Sequence, residues 1–285
     1  MTAPAPRVPP STARILFEML IGRRPIERSG PFLRTFKHLP PWTRDVVRWI
    51  LRPKQRFLYG RLRAAADDRV LSGAFVGMQL MGRPAGSELI GTYEREVFPW
   101  IAEWCAAPPH TIINIGARHG YYAIGLARLM PNAMVWAFEG DEEAHATLAA
   151  AVAANGVAAR VSIGGFADDA RLAEVLGDGR GVLIVCDIDG GEVPLLDPAL
   201  IPALTRAELL IECHGPPETP TEPVMLARFS ATHTITREEP GVRTPADLPA
   251  AVTPWWARRM PATLVELMRE RRTPPQSWLR AVPRG

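Results

Sequence analysis

The stretch "TIINIGARHGYYAIGLARLMP" limits the fold of this chain more than any other. Its apolar run at residues 111–113 reads as the end of a buried strand, Gly116 and Gly120 bend the chain, and residues 121–130 carry the apolar spacing of a helix stopped by Pro131. The alternation then repeats. Residues 133–139 ("AMVWAFE") read as strand, 141–156 as a helix ending in Asn-Gly, 159–165 as strand, 181–189 ("GVLIVCDID") as buried strand, and 207–214 ("AELLIECH") as strand. Asp197 before Pro198 reads as a helix cap followed by proline at the first helical position. Beyond these, residues 223–229 and 263–272 have helical spacing, while 233–237 and 278–282 read as strands. Strands separated by helices imply parallel βαβ units, so the expected fold is α/β, a doubly wound, mostly parallel seven-stranded sheet.

The amino-terminal part differs in character. Residues 1–11 are rich in Pro and Ala and are expected to be disordered, and from residue 11 to about 76 short basic helices are expected, broken at Pro25, Pro40 with Pro41, and Pro53. Residues 1–70 hold 15 Lys and Arg against 5 Asp and Glu, which is +10 of a total of +3 and leaves −7 for the remainder. Contact with an anionic surface through residues 1–70 would suit that excess, but no nucleic-acid motif accompanies it. Residues 86–105 place Val97, Ile101 and Trp104 at helical spacing, expected to cap the front of the sheet. The expected division is therefore a basic helical extension over residues 1–85 and a ligand-binding domain over 86–285. No run of about 18 apolar residues is present to span a membrane, and the first apolar stretch is interrupted by Glu18, so no signal peptide is expected. The three cysteines, Cys105, Cys186 and Cys213, have no metal-type spacing and suggest reduced thiols in a cytoplasmic protein.

In an open parallel sheet, ligands sit beyond the carboxyl ends of the strands, which here means the loop at residues 114–120. A dinucleotide fingerprint counted from Gly116 needs glycine at positions 118 and 121, where the chain has Arg118 and Tyr121. A side chain at the second position obstructs a pyrophosphate, so NAD is disfavoured, and no G-x-x-x-x-G-K-[ST] phosphate loop occurs. What remains is Gly116 and Gly120 in a G-x-x-x-G turn, with the strand-end acid Glu139 lying 25 residues after Asn114. A carboxylate there accepts both hydroxyls of a ribose, and the turn lies against an adenosyl ligand without phosphate. S-adenosylmethionine has that chemistry. The alternative is a tight turn that only packs helix on strand.

"INIGARHGYYAIGLA", "VWAFEGDEE", "VLIVCDIDGGEVPLLDP" and "AELLIECH" together resemble the successive motifs of the FkbM-type branch of class I S-adenosylmethionine-dependent methyltransferases, over residues 88–235. The resemblance implies the Rossmann-like methyltransferase fold. It also implies that Asn114, Gly116, Ala117, Gly120 and Tyr121 border the methionine and ribose of the cofactor, that Glu139 binds the ribose, that Gly165 and Phe166 flank adenine, and that Asp187 lies by the methyl group. Asn114 departs from the aspartate usual in the family, keeping an acceptor oxygen but losing the charge that faces the cofactor's amine. Arg118 and His119 are more cationic than the pattern.

Methyl transfer from a sulfonium needs an aligned acceptor and, for a hydroxyl, removal of its proton. Asp187, Asp189 and Glu192 follow the fourth strand, and Glu212 and His214 end the fifth. The expected catalytic set is Asp187, His214 and Glu212, with His214 or Asp187 as base and no metal. The rival arrangement has the same three residues holding a divalent metal that acidifies a diol or catechol. A further rival is a cofactor-binding regulatory protein without turnover. Tyr93 and Glu94 are either a lid over the cofactor or an ordinary helix start, and His233 is expected to be structural. The expected partner is a small-molecule hydroxyl acceptor, sugar-containing or a secondary metabolite.

Overall fold

The computed structural model describes residues 41–214, 220–252, 255–270 and 276–284, with backbone alone at 41–52 and 256. The expected disordered start and the breaks at Pro25 and Pro40 lie outside these residues. In chain order, helix α1 (Pro41–Ala66) precedes α2 (Gly86–Ile90) and α3 (Phe98–Ala106). Strands and helices then alternate through β1 (Thr111–Ile115), α4 (Tyr121–Leu129), β2 (Met134–Phe138), α5 (Glu142–Ala154), β3 (Val161–Gly164), α6 (Asp169–Leu176) and β4 (Val182–Cys186). The short α7 (Glu192–Leu195), β5 (Glu208–Cys213), α8 (Thr221–Phe229), β6 (His233–Glu238), α9 (Trp255–Arg258), α10 (Pro261–Met268) and β7 (Ser277–Pro283) complete the order.

The strands form one seven-stranded sheet in the order β3-β2-β1-β4-β5-β7-β6. The pairs β1 with β2, β1 with β4, β2 with β3 and β4 with β5 are parallel, and β7 runs antiparallel between β5 and β6. The expected doubly wound, mostly parallel sheet is the observed one. The order reverses at β1, so the carboxyl ends of β1 and β4 flank the switch-point crevice.

Register assigns the two faces, because successive side chains alternate across a strand. Asn114, Val185, Leu210 and Arg280 align on one face, with Glu212 opposite Trp278. Ile113, Ile115, Ile184, Cys186, Leu209, Ile211 and Leu279 lie on the other, in a buried core with Leu172, Leu176, Met225 and Phe229 from α6 and α8. The segment from Glu94 through α3 runs along the first face of the sheet. At its start Tyr122 donates to Glu94, and at its far end Trp104 Nε1 donates to Glu208 Oε1 at 2.6 Å, at the amino end of β5.

Compactness separates the described residues into two units. One takes in the described parts of Met1–Asp67 and Arg243–Arg269, and the other those of Asp68–Val242 and Glu270–Gly285. In the first, α1 packs on α10 and buries Leu58 and Leu62. The expected break at Pro53 does not occur, for α1 passes through it. Proline removes one backbone donor and crowds one carbonyl, at a cost of about 3 kcal/mol, which a long packed helix absorbs. In the second unit, Val70, Phe75, Met78 and Leu80 are buried, and Phe75 lies edge-on to Tyr121 and Tyr122 of α4.

The helix expected after Asp197-Pro198 is also absent. Asp197 Oδ1 accepts from Ala199 N at 2.9 Å and its backbone carbonyl accepts from Leu200 and Ile201, but Pro202 follows and the chain makes only a turn and a 3-10 segment, Pro202–Arg206. The other carboxylate oxygen of Asp197 holds Arg228 at 2.8 Å, so the cap ties α8 down instead of starting a helix.

Candidate active site

The glycine turn after β1 is shaped by what lies behind it. Gly116 has φ +84°, and a Cβ there would stand 1.8 Å from the carbonyl oxygen of Asp187. The backbone leaving β4 therefore occupies the space the missing side chain leaves, and only glycine allows both the left-handed conformation and this approach. Gly116 N and Ala117 N both donate to Phe138 O, at 2.9 and 2.8 Å. Those donors are spent within the fold and are not offered to a phosphate. Gly120, at φ +94°, ends the turn, and Ile124 N donates to its carbonyl at 2.9 Å to open α4.

Glu139 ends β2 with both carboxylate oxygens engaged: Oε2 accepts from Arg118 N at 2.5 Å and Oε1 from Asp141 N at 2.8 Å. It thereby pins Arg118, which has φ +50°, and keeps lone pairs for a ligand. Phe166 is 81% exposed, and its ring lies 3.4 Å from where a Cβ on Gly140 would stand, while Gly165 has open space around it. An exposed aromatic face beside the strand-end acid is what a planar heterocycle requires for stacking. Asn114 is only 2% exposed; Nδ2 donates to Val185 O at 3.3 Å, and Oδ1 has no partner.

The carboxyl ends of β4 and β5 and the loops that follow them bring four carboxylates together around His214. Its Nδ1 lies 2.8 Å from Glu192 Oε1, and its Nε2 lies 3.4 Å from Asp187 Oδ1, 3.5 Å from Asp189 Oδ1 and 3.5 Å from Glu212 Oε2. Glu212, Glu192 and His214 are buried, whereas the Asp187 side chain is 29% exposed and that of Asp189 97%. Asp189 with φ +51° and Gly190 with φ +103° fold "DIDGGE" back on itself, so that Glu192 Oε1 also accepts from the backbone N–H of Ile188 and Gly190 at 3.2 and 3.3 Å.

Burial alone would lower the pKa of His214. The hydrogen bond to Glu192 and the charges of Asp187, Glu192 and Asp189 outweigh it, and the net shift is upward. Glu192 is raised by its own burial, yet the bond from His214 and the backbone donors bring it below the usual carboxylate range. The site thus pairs a strengthened base with a stabilised carboxylate. Atoms of Asp187, Glu212 and His214 also lie within 4.8 Å of one another, the spacing of a metal-ligand set.

The structure brings Asp187, Glu212 and His214 together, and places Asn114 in β1, Gly116, Ala117 and Gly120 in the turn that follows, and Tyr121 at the start of α4. Glu192 is the residue that sequence reasoning undervalued: counted there as a loop residue as much as a catalytic one, it is the group that orients His214. Its signal was the pair of residues before it, where Gly190 and Gly191 permit the chain to double back. Tyr93 and Glu94 sit against α4, with Tyr93 edge-on to Tyr121. His233 is structural as expected: Nε2 lies 2.9 Å from Ala207 O, and Nδ1 lies 2.8 Å from Thr232 Oγ1. Cys186 and Cys213 are buried free thiols, burial raising the pKa of Cys213 to about 12.

No protein-family model and no curated protein matches the chain in sequence. Among solved structures, it is similar to an O-methyltransferase of Streptomyces achromogenes involved in tomaymycin synthesis, in complex with S-adenosylmethionine, at 16% identity and TM-score 0.44 over 72% of this chain and 92% of the other. A second similar structure is the O-methyltransferase of Bacillus cereus in complex with S-adenosylhomocysteine, at 13% identity and TM-score 0.42 over 65% of this chain and 78% of the other. A third is the precorrin-6Y C5,15-methyltransferase of Geobacter metallireducens, at 14% identity and TM-score 0.42 over 66% and 89%.

Proposed function

We propose that this chain is an S-adenosylmethionine-dependent methyltransferase of the FkbM type that methylates a hydroxyl on a sugar-containing or secondary metabolite. The observation that carries the reading is the contact between two loops: Asp187 packs its backbone into the space at Gly116, so the acid–base cluster adjoins the cofactor turn. The residues fit the cofactor. Buried Asn114 Oδ1 lacks a partner, Glu139 retains acceptor capacity for a ribose, and Phe166 offers a face to adenine. When bound, S-adenosylmethionine supplies a methyl group on a sulfonium, open to in-line displacement by an acceptor oxygen.

The chain's own residues then have defined tasks. His214 Nε2 accepts the hydroxyl proton, and the imidazolium so formed is stabilised by Asp187, Asp189, Glu192 and Glu212. Glu192 orients the ring through Nδ1, and Asp187, the more accessible carboxylate beside the turn, aligns the acceptor. Calorimetry with S-adenosylhomocysteine should show binding, whereas NADH should not bind. Replacing Glu139 with Ala should weaken S-adenosylhomocysteine by about 1.5–3 kcal/mol, the scale for losing a charged hydrogen-bond partner. Binding without product formation over a panel of hydroxyl acceptors would favour the regulatory alternative. Activity abolished by chelation and restored by magnesium or manganese would overturn the metal-free mechanism.

A further inference from the structure

We infer that helix α1 lies along an anionic phospholipid surface, with an exposed apolar stripe set at the acyl-chain boundary and the basic residues beside it against the headgroup phosphates. The inference is independent of the cofactor reading, because it concerns the first compact unit and no residue of the candidate active site.

The 26 residues of α1 hold seven Lys and Arg against one acid, Asp45, a net charge of +6. Its apolar residues fall into two rows. Leu58 and Leu62 are buried, in a helix that packs on α10. Pro53, Phe57, Gly60 and Ala64 repeat at intervals of four, three and four residues, the spacing of one helix face. All four are exposed, Phe57 by 62%. At 3.6 residues per turn this second row lies about 150° around the axis from the buried one. Trp42, Val46 and Trp49 extend its spacing toward the start of the helix.

Basic positions border the exposed row on both edges. The helical period sets Arg52 and Arg56 along one edge and Lys54 and Arg61 along the other, and Arg56 and Arg61 are exposed. An apolar stripe between two basic edges matches the layering of a bilayer surface, where phosphates lie above the acyl chains and long basic side chains reach back to them. The same unit pairs an exposed aromatic with a cation at Trp255, which is 67% exposed and carries Arg259 at 4.8 Å from its ring centroid.

Charge selects what covers this face. Residues 1–40 hold seven Lys and Arg against two acids, so at +5 they are repelled by it. A second copy would set another +6 helix against the first, with like charges along both edges of the seam. A polyanion without apolar parts pairs with the arginines but leaves Phe57 and its row in water. An anionic bilayer answers both halves, since each Lys or Arg near such a surface favours binding and the apolar row leaves water.

The test is co-sedimentation of the full chain with vesicles of phosphatidylcholine alone and of phosphatidylcholine mixed with phosphatidylglycerol. The chain should pellet with the mixed vesicles only, and salt should weaken that binding at least about tenfold between about 0.05 and 0.5 M. Arg56→Glu should weaken it about tenfold and Phe57→Ser about fivefold. Gly60→Glu puts an anion in the stripe where a Cβ meets nothing within 4 Å, so it keeps the fold and should also cost about tenfold. Arg180→Glu, a reversal at an exposed arginine of the other unit, should stay within about twofold of wild type. No binding to the mixed vesicles, binding indifferent to lipid charge, or full binding by Gly60→Glu overturns the inference. Duplex DNA that strips the chain from vesicles and binds Phe57→Ser as tightly as wild type overturns it in favour of nucleic acid. A dimer in free solution that Gly60→Glu dissociates overturns it in favour of a second copy.

Discussion

His214 carries the most consequential electrostatics in the site, because a histidine among four carboxylates is a base whose strength its neighbours set. Raised above its ordinary value near 6.5, it holds its proton to higher pH than a free imidazole. Its pairing therefore stabilises the fold below the unfolded pKa, and that contribution is lost as pH rises through the folded value. Catalysis has the opposite sense, since a base works only when unprotonated. The rate should rise with pH along a limb centred above the ordinary histidine range. In Glu192→Gln the limb should shift to lower pH, because the carboxylate that favours the imidazolium is gone. A limb that falls in amplitude without moving would reduce Glu192 to a structural prop. Asp187→Asn should lower turnover by about 100-fold or more, on the scale of acid–base groups, while calorimetry shows cofactor binding intact.

At the scale of elements, the site depends on how α4 is seated, since its first residues close the glycine turn. Gly125 in the middle of α4 lets Phe75 approach so closely that a Cβ there would stand 2.5 Å from the ring. Phe75 also meets the rings of Tyr121 and Tyr122. Truncating it to Ala should cost about 3–5 kcal/mol, the range for emptying a buried aromatic site, read as a lower denaturant midpoint at unchanged slope. S-adenosylhomocysteine affinity should fall with it, through the loosened start of α4. The β1 turn and α4 were legible because apolar period and glycine placement are local signals. The contact with Phe75 was not, since nothing local links residue 75 to residue 125. The same limit explains Asp197-Pro198, where a valid cap signal led to a turn because Pro202 and the pull of Arg228 decided otherwise.

For the whole molecule, the division proposed at residue 85 can be set against the one that compactness draws at Asp67. Residues 68–85 bury Val70, Phe75, Met78 and Leu80 within the second unit. A chain starting at residue 86 should therefore melt at a lower temperature than one starting at residue 68, and equal melting temperatures would favour the boundary at 85. Among the described residues no helix is long and apolar enough to cross a membrane. The sequence by itself determined the alternation of strands and helices, the parallel sheet, the glycine turn and the acids that end β2 and β4, because each is written in a short window through period, turn residues and strand length. Only the tertiary structure decided that Glu192 lies under His214, that Glu88 reaches His119 in the glycine turn, and that the segment from Glu94 through α3 lines a face of the sheet. Those placements join residues separated by 22 and 31 positions or more, and the energy that selects them comes from burial and charge pairing across the fold, which no local pattern encodes.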